Sequence, residues 1–271
     1  MHIGGRRLDK MVKVTELLSL KGKNAVITGA AGLYGRCAAQ ALYEAGAKVF
    51  TGSTNMENLN KAVEEMRQEG GDITAFHLDL ASEESILKFH DEVMKEAGRI
   101  DILVNNSVAR VMPGYEADAG LWEQSMKVNS TGNFIITRAF GKEMIGQKSG
   151  SIINIASMHG MIGPDPFLYE GLGMENWGGD YFFHKGGMIS FTRFLASYYG
   201  RYNIRCNSIS PGGIKSYRTP EAFVERYGKR TMLGRMAAQD DIKGAVVFLA
   251  SDASLYVTAA NLPVDGGYSA K

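Results

Sequence analysis

Two side chains four residues apart, Tyr181 and Lys185, could carry out proton transfer together. On a helix, this spacing places them one turn apart on the same face. A tyrosine hydroxyl can protonate an alkoxide, or take a proton from an alcohol, when a neighbouring positive charge favours the phenolate. Such a pair is also common on solvated helix surfaces. It therefore indicates catalysis only when the sequence also contains a binding site for a reactant.

A glycine-rich turn near the start of the chain offers that second site. Residues 24–35 read NAVITGAAGLYG, an apolar strand that runs into a turn and then into a helix beginning at Leu33. Gly29 can make the tight turn, Gly32 lets the backbone approach a pyrophosphate, and Gly35 allows close packing of helix on strand. The helix offers free N–H groups and a positive dipole end to phosphates. Glycine spacing alone is weak evidence, but its place at the first strand–helix junction favours a dinucleotide site.

The end of the second strand bears on which dinucleotide binds. Sites for NAD usually place an Asp or Glu here, on the ribose 2′-OH. Residues 50–54 are Phe-Thr-Gly-Ser-Thr, and the nearest acid is Glu57. The Ser53 hydroxyl can accommodate a 2′-phosphate, and Arg36 could lie nearby, so the sequence favours NADP over NAD. The alternative is that Ser53 and Thr54 simply cap the next helix.

Short apolar runs alternate with stretches of helical periodicity along the chain. The predicted strands are Asn24–Thr28, Lys48–Thr51, Ile73–Leu78, Asp101–Val104, Ser151–Ile155, Ile204–Ile209 and Leu262–Val264. The predicted helices are Leu33–Ala45, Met56–Glu69, Glu83–Ala97, Leu121–Ile145, Tyr181–Tyr199 and Asp240–Ala250. Several strands are apolar on successive residues, which is typical of a parallel sheet covered on both faces. The pattern predicts a Rossmann-like, doubly wound α/β domain with seven mainly parallel strands and helices on both faces.

Several short motifs follow the order of these elements. They are the Gly29–Gly35 turn, Asp79-Leu80, Asn105-Asn106-Ser107, Asn129 in KVNSTGNF, Ser157 in SIINIAS, Tyr181 to Lys185, Pro211-Gly212-Gly213-Ile214, and PVDGGY near the end. Together and in this order they resemble the short-chain dehydrogenase/reductase family, in its compact single-domain form, over Leu20 to Tyr268. The resemblance implies a nicotinamide-dependent oxidoreductase that assembles as a homotetramer or homodimer.

This resemblance implies catalytic roles for four side chains. Hydride transfer to a ketone leaves an alkoxide that must be protonated, and Tyr181 would supply that proton or remove it in reverse. The Lys185 ammonium, with the positive charge of the oxidised nicotinamide, favours the phenolate of Tyr181. By resemblance, Lys185 also holds the nicotinamide ribose. Ser157 would hydrogen-bond the substrate oxygen, and Asn129 would hold a water that links Lys185 to solvent.

The predicted cofactor contacts lie mainly at the ends of strands. Besides Tyr181 and Lys185 they are Gly29, Gly32, Leu33, Gly35, Ser53, Asp79, Leu80, Asn105, Ser107, Pro211, Gly212, Ile214 and Ser216. By resemblance, Asp79 contacts the adenine, and residues 211–216 flank the nicotinamide. Asn105 and Ser107 fall beside the expected topological switch point of the sheet. The alternative for the later motifs is that they only form turns.

Two departures from the usual family pattern bear on the substrate. The glycine spacing is TGxxGxxG instead of TGxxxGxG, as in longer members that include nucleotide-sugar epimerases. Ser157 and Tyr181 are 24 residues apart, about twice the usual separation, and the insertion is rich in glycine, acids and aromatic residues. A similar insertion in family members associated with surface-sugar pathways favours a sugar or sugar-derived substrate; the alternative is an oligomer-contact or lid loop. The predicted substrate residues are His159, Tyr169, Glu170 and Trp177.

Composition argues against several other classes of protein. Lys plus Arg is 30 and Asp plus Glu is 29, which gives a net charge of +1. This charge does not indicate binding to nucleic acid or to an anionic membrane. No apolar run approaches the ~20 residues that span a bilayer. Cys37 and Cys206 are expected to be buried free thiols, which fits a cytoplasmic location. No His, Cys and Asp cluster has metal-ligand spacing, so no metal is expected.

The sequence thus predicts a flexible leader at residues 1–20, followed by one catalytic domain at residues 21–271. That domain would transfer a hydride between NADP or NAD and a secondary alcohol or ketone. Ser216–Met236 would form a mobile substrate lid. Two other functions stay open: a nucleotide-sugar epimerase or dehydratase that retains its nicotinamide, and a non-catalytic dinucleotide-binding protein.

Overall fold

Seven parallel strands form one sheet at the centre of the molecule. The computed structural model describes residues 2–3, 6–7, 11–174 and 178–270, with side chains from residue 11 onward. The strands are β1 (Asn24–Thr28), β2 (Lys48–Ser53), β3 (Ile73–His77), β4 (Ile102–Asn105), β5 (Gly150–Ile155), β6 (Ile204–Pro211) and β7 (Asn261–Val264). Their spatial order is β3-β2-β1-β4-β5-β6-β7, and each neighbouring pair runs parallel. The direction of winding reverses between β1 and β4, which is the topological switch point.

Helices cover both faces of this sheet. They are α1 (Leu33–Glu44), α2 (Met56–Gln68), α3 (Glu83–Ala97), α4 (Ala119–Met126), α5 (Asn133–Gln147), α6 (Gly179–Tyr199), α7 (Glu221–Arg230) and α8 (Lys243–Ala250). Buried side chains of α1, α2 and α8 pack on one face, and those of α3, α5 and α6 pack on the other. β4 and β6 are buried along their whole length because both faces are covered. The predicted doubly wound α/β fold is confirmed, and all seven strands are parallel.

The long helix predicted at Leu121–Ile145 contains an irregularity. α4 and α5 are joined by a π-helical segment, Lys127–Gly132, so the helical path is continuous but wider at this point. Gly132 sits where a Cβ would lie 2.3 Å from the Leu80 backbone oxygen, so only glycine allows this close approach. π segments are frequent at functional sites, and this one carries Asn129.

Two stretches expected to be irregular contain short helices. Residues 158–174 form 3₁₀ turns at Met158–Gly160 and Pro166–Leu168. The expected lid contains α7, whose Phe223 and Tyr227 pack against Leu168 and the 158–174 segment. The two stretches therefore share a small apolar core of their own, beside the main sheet.

The start of the chain joins the packed domain earlier than predicted. A helical turn spans Val14–Leu17, and Leu20 is fully buried in the core beneath α1. Two short strands, His2–Ile3 and Arg6–Arg7, pair with each other in antiparallel fashion. Residues 1, 4–5 and 8–10 of the predicted leader lie outside the described residues.

Three expectations from composition concern membrane-spanning helices, free thiols and metal sites in the described part of the chain. Within it, no helix combines the length and apolar character needed to cross a membrane. Cys37 and Cys206 are both buried and free. No cluster of three or more metal-binding side chains occurs among the same residues.

Candidate active site

A cleft of about 1230 Å³ opens at the carboxyl ends of the strands, across the switch point. The segments that follow β1, β2, β3, β4, β5 and β6 all line it, as does the first turn of α6. Parallel strands bring their carboxyl ends to one edge, so motifs distant in sequence meet there. The glycine-rich turn lies in the same cleft as the Ser157, Tyr181 and Lys185 set.

The glycine-rich turn has the shape of a phosphate cradle. Gly29 has φ +74°, and a Cβ there would lie 2.6 Å from the Ser107 hydroxyl oxygen. A Cβ on Gly35 would overlap the Gly29 carbonyl oxygen at 2.1 Å, which is why helix α1 can pack so close to β1. At Gly32 the nearest atom to a Cβ is 3.5 Å away, so this position keeps open space on the cleft side. The turn therefore fits a dinucleotide pyrophosphate at the N-terminus of α1.

The loop after β4 is tied to the glycine turn by Thr28. Its hydroxyl accepts hydrogen bonds from the backbone N–H groups of Asn106 (3.0 Å) and Ser107 (2.9 Å). The Asn106 side chain donates to the Thr28 carbonyl at 2.9 Å. Asn106 and Ser107 both line the cleft.

The prediction for Asn105 is corrected by the same geometry. Its side chain is buried and donates to Thr137 and Asn154, both at 2.9 Å, and it does not line the cleft. Asn105 is the last residue of β4, and strand alternation turns its side chain into the helix layer. Its neighbour Asn106 lines the cleft instead.

The far end of the cleft carries the residues predicted for the adenosine. Ser53, Leu80 and Asp79 line it together with Thr54 and Asn58. Asp79 accepts a hydrogen bond from the Ala81 N–H at 2.8 Å, which fixes its carboxylate.

Arg36, expected near a 2′-phosphate, is directed elsewhere. Its guanidinium pairs with Glu65 at 2.5 Å and with Glu69 at 3.5 Å, and it does not line the cleft. The two carboxylates lie on or next to α2, which packs beside α1. They hold Arg36 between the two helices.

At the other end of the cleft, Ser157, Tyr181 and Lys185 come together. Lys185 is 2% exposed, and its ammonium donates to the Ile155 carbonyl at 2.6 Å. Its Nζ lies 5.9 Å from the centre of the Tyr181 ring. Burial, aided by the charge of Arg110, lowers the pKa of Lys185 to about 7. Ser157 follows β5, and its hydroxyl accepts a hydrogen bond from the His159 N–H at 3.1 Å.

The Tyr181 hydroxyl makes no hydrogen bond to any described residue, and the ring lines the cleft. It is therefore available to an incoming ligand. The predicted residues after β6 are also present: Pro211, Gly212, Ile214 and Ser216 all line the cleft. The Gly212 carbonyl accepts a hydrogen bond from the Tyr34 hydroxyl at 2.7 Å, which joins this loop to α1.

Asn129 lies outside this cleft, and its side chain holds the loop after β4. Its Oδ1 accepts from the Ala109 N–H at 2.9 Å, and its Nδ2 donates to the Ala109 carbonyl at 2.8 Å. Nδ2 also donates to the Ser125 hydroxyl at 3.0 Å, and that hydroxyl donates to Asp180. These contacts occupy the side-chain amide and hold residue 109 in place. The predicted water link to Lys185 stays a prediction.

Of the four predicted substrate residues, two line the cleft, one does not, and one lies outside the described residues. His159 and Tyr169 line the cleft. Burial and the Arg110 charge lower the pKa of His159 to about 4. Glu170 is exposed and does not line the cleft; its backbone N–H donates to the Pro166 carbonyl at 3.2 Å, and its own carbonyl accepts from Arg226 at 2.7 Å. Trp177 lies outside the described residues.

Arg110 is a cleft residue that the sequence analysis missed and that lies beside Tyr181. Its guanidinium carbon lies 4.5 Å from the centre of the Tyr181 ring, and the side chain is exposed to the cleft. The available signal was its place three residues after Ser107, in the loop at the switch point. A lone arginine in a loop carries no pattern, so its proximity to Tyr181 depends on the fold.

Comparison with known proteins agrees with this geometry. A family model described as Enoyl-(Acyl carrier protein) reductase matches residues 29–269, most of the chain. The chain belongs to the short-chain dehydrogenase/reductase family. Like its relatives, it is an oxidoreductase that transfers a hydride between a nicotinamide dinucleotide and a secondary alcohol or ketone.

Relatives match this family member over nearly its whole length. It is 33% identical to a D-threitol dehydrogenase of Mycolicibacterium smegmatis, over 93% of this chain and 95% of that protein. It is 33% identical to a 5-keto-D-gluconate 5-reductase of Escherichia coli, over 94% of this chain and 98% of the reductase. A gluconate 5-dehydrogenase structure from Burkholderia cenocepacia, in complex with NADP and tartrate, superposes with a TM-score of 0.85. That structure shares 30% identity and covers 96% of this chain and 100% of its own.

Proposed function

We propose that Tyr181 is the general acid and base of this dehydrogenase, with Ser157 and Lys185 as its catalytic partners. One observation carries the proposal: a phenol without a hydrogen-bond partner among the described residues, a serine hydroxyl and a buried ammonium converge on one cleft with the glycine turn. A bound nicotinamide dinucleotide supplies the hydride acceptor or donor.

The three side chains divide the remaining chemistry. The Ser157 hydroxyl hydrogen-bonds the substrate oxygen and stabilises the charge that develops on it. Tyr181 gives a proton to that oxygen during reduction and removes it during oxidation. The Lys185 Nζ, 5.9 Å from the centre of the Tyr181 ring, places a positive charge beside the phenol during proton transfer.

We propose a supporting role for Asn129 as a positioning residue. It clamps residue 109 by two hydrogen bonds and so fixes the loop that carries Arg110 over the Tyr181 ring. A water held near Asn129 and leading to Lys185 belongs to the same proposal, and the resemblance supports it.

The proposed substrate is a polyhydroxylated, sugar-derived alcohol or ketone. Relatives act on D-threitol and on 5-keto-D-gluconate, and both compounds carry several hydroxyl groups. The substrate end of the cleft carries His159 and Tyr169, whose polar atoms can bind hydroxyl groups. This part of the cleft is formed by the 158–174 segment, and Trp177 stays a predicted contact.

We propose NADP as the preferred dinucleotide, with NAD as the alternative. β2 ends at Ser53 and is followed by Thr54, and no carboxylate of β2 or of its following turn lines the cleft. A carboxylate at this place would repel a 2′-phosphate, and hydroxyl groups can bind one. The NADP in the Burkholderia cenocepacia relative supports the same choice. Gly29, Gly32, Leu33 and Gly35 would hold the pyrophosphate, and Asp79 and Leu80 the adenine.

A cytoplasmic homo-oligomer completes the proposal. Of the leader predicted at residues 1–20, we keep residues 1–10, because Val14–Leu17 is helical and Leu20 is buried in the core. Three aromatic side chains are exposed along α6: Phe183 (62%), Phe194 (60%) and Tyr198 (46%). Exposed aromatic groups of this kind are enriched at protein interfaces. They support a homodimer or homotetramer formed through this helix layer.

The test is a Tyr181→Phe substitution, with Tyr198→Phe on the same helix as its matched control. We expect Tyr181→Phe to lower kcat at least about 100-fold, because proton transfer is lost, and to keep NADP binding. Initial rates are measured with both dinucleotides on polyols, sugar acids and simple ketones, and NADP binding is measured by fluorescence titration. Turnover that persists in Tyr181→Phe at the level of the control would disprove the acid–base assignment.

A further inference from the structure

Arg110 lies beside the reacting groups and has no ion-pair partner among the described residues. Its guanidinium carbon is 4.5 Å from the Tyr181 ring centre. It forms no ion pair and no hydrogen bond with residues 11–174 or 178–270. Five other arginines in the same part of the chain do pair with carboxylates: Arg36, Arg99, Arg138, Arg230 and Arg235. An arginine left unpaired in a cleft keeps all five of its N–H donors for a ligand.

Two carboxylates near the substrate end of the cleft have partners other than Arg110 within the described part of the chain. Asp165 pairs with Arg230 at 2.7 Å. Asp180 is 3% exposed and accepts a hydrogen bond from the Ser125 hydroxyl. Asp79 lines the opposite, adenosine end. Neither Asp165 nor Asp180 forms an ion pair with Arg110, so among the described residues the guanidinium keeps its charge for a ligand.

The Arg110 loop is held in place before any ligand arrives. Asn129 fixes the preceding residue, Ala109, through its N–H and its carbonyl. The guanidinium of Arg110 also lies over the Tyr181 ring. The positive field of Arg110 already reaches the site, because it contributes to the lowered pKa values of His159 and Lys185. A second cleft cation, Arg218, donates to Tyr217, which is 89% exposed, so it lies nearer the solvent side.

We propose that the substrate carries a carboxylate and that Arg110 binds it through a two-point, charge-assisted contact. The planar guanidinium matches the two oxygens of a carboxylate. The substrate class is then a sugar acid: a hydroxy acid in the oxidation direction and a keto acid in reduction. The short distance from Arg110 to Tyr181 places the carboxylate within one small molecule of the reacting carbon. This inference rests on the proposed function and narrows it.

The test compares acids with their matched polyols. The ligand pairs are threonate with threitol, xylonate with xylitol, and gluconate with sorbitol, which differ only in a terminal carboxylate or CH₂OH. Binding to NADP-loaded Tyr181→Phe protein is measured by calorimetry, and kcat/KM is measured on the otherwise unmodified enzyme. The variants are Arg110→Met, Arg110→Lys and the control Arg201→Met; Arg201 stacks on Tyr202 at 4.9 Å and is not in the cleft.

We expect Arg110→Met to lower the acid-to-polyol ratio of affinity, and of kcat/KM, by about 10- to 100-fold, the range for a lost charged hydrogen bond pair. Arg110→Lys should give an intermediate acid-to-polyol ratio, because lysine keeps the positive charge but lacks the two parallel N–H donors of the guanidinium. Arg201→Met should leave this ratio unchanged. A ratio unchanged in Arg110→Met would overturn the inference, as would polyol binding tighter than acid binding before substitution. In either case turnover abolished by Tyr181→Phe would leave the proposed function standing.

Discussion

At Lys185, the proposed catalytic role and the stability of the fold make opposite demands on one side chain. The ammonium is buried and has a single described hydrogen-bond acceptor, the Ile155 carbonyl. Burial lowers its pKa to about 7, whereas the pKa of an unfolded lysine is about 10.4. The cofactor-free protein thus bears a desolvation cost at this position, which functional sites commonly retain.

We therefore predict that Lys185→Met stabilises the cofactor-free protein while abolishing turnover. The free energy of unfolding at pH 7 should rise by about 2 kcal/mol, after allowing for the hydrogen bond lost at Ile155. Because the folded pKa is the lower one, unfolding takes up a proton between pH 7 and about 10.4. The unmodified protein gains stability through that window, so the advantage of the variant should shrink there.

Urea denaturation at several pH values measures this effect. Lys142→Met, which replaces an exposed lysine on α5, is the control and should change stability little. A Lys185→Met protein that is less stable than the unmodified one at pH 7 would show that the ammonium contributes favourably to folding.

At the scale of elements, the β1–α1 junction combines two separate demands. One is close packing of helix on strand, which depends on Gly35, and the other is room for a ligand, which depends on Gly32. A Cβ at Gly35 would meet backbone at 2.1 Å, and one at Gly32 would meet nothing closer than 3.5 Å. The same methyl group should therefore affect folding at one position and binding at the other.

We predict that Gly35→Ala lowers the free energy of unfolding by more than about 3 kcal/mol, because the backbone overlap cannot relax within a close-packed core. Gly32→Ala should keep the melting temperature within about 2 °C of the unmodified protein and weaken NADP binding about 10-fold, since the backbone can no longer approach the pyrophosphate. Thermal melting and NADP titration separate the two effects. Unchanged NADP affinity in Gly32→Ala would place the pyrophosphate elsewhere.

The π-helical segment between α4 and α5 also helps to position the cleft residues. It widens the helix at Asn129, so that the amide reaches across to residue 109 and clamps the β4 loop. Three elements thereby act on one ring: β4 leads to Arg110, the π segment fixes its loop, and α6 carries Tyr181. A regular helix pattern in the sequence does not reveal this local widening.

For the molecule as a whole, acid is expected to weaken the fold through buried neutral histidines. His184 is 3% exposed, and neither ring nitrogen has a hydrogen-bond partner among the described residues. Burial lowers its pKa to about 3, with further contributions from Lys185 and Arg110. Below pH 6.5 this histidine takes up a proton in the unfolded chain but not in the folded chain. The free energy of unfolding therefore decreases as the pH falls toward about 3.

We predict that His184→Leu removes part of this acid sensitivity. Each such histidine reduces the free energy of unfolding by at most about 1.4 kcal/mol per pH unit below 6.5. Between pH 8 and pH 5, the variant should therefore gain about 2 kcal/mol relative to the unmodified protein. Urea denaturation at the two pH values measures it, and His77→Gln, at an exposed histidine, is the control. An equal stability difference at both pH values would contradict the prediction.

The sequence alone determined the features that depend on local spacing. Alternating apolar runs and helical periods predicted the parallel sheet, because each element must bury its own apolar face. The Tyr181 and Lys185 spacing predicted a shared face on α6, and the glycine turn predicted the cradle. β1 was predicted to the residue, and the ends of β2 and β6 were short by two, since strand ends carry weaker patterns. α7 was missed, although Phe223 and Tyr227 are spaced for one helix face.

Only the tertiary structure decided contacts between distant segments. Asn105 turns into the core because Thr137 of α5 and Asn154 of β5 accept hydrogen bonds from its Nδ2 group there. Arg36 binds Glu65 because α2 packs beside α1. Arg110 reaches Tyr181 because β4 and α6 end at the same edge of the sheet. The sequence specifies the charge and length of each side chain. Whether an opposite charge lies next to that side chain depends on how the chain folds.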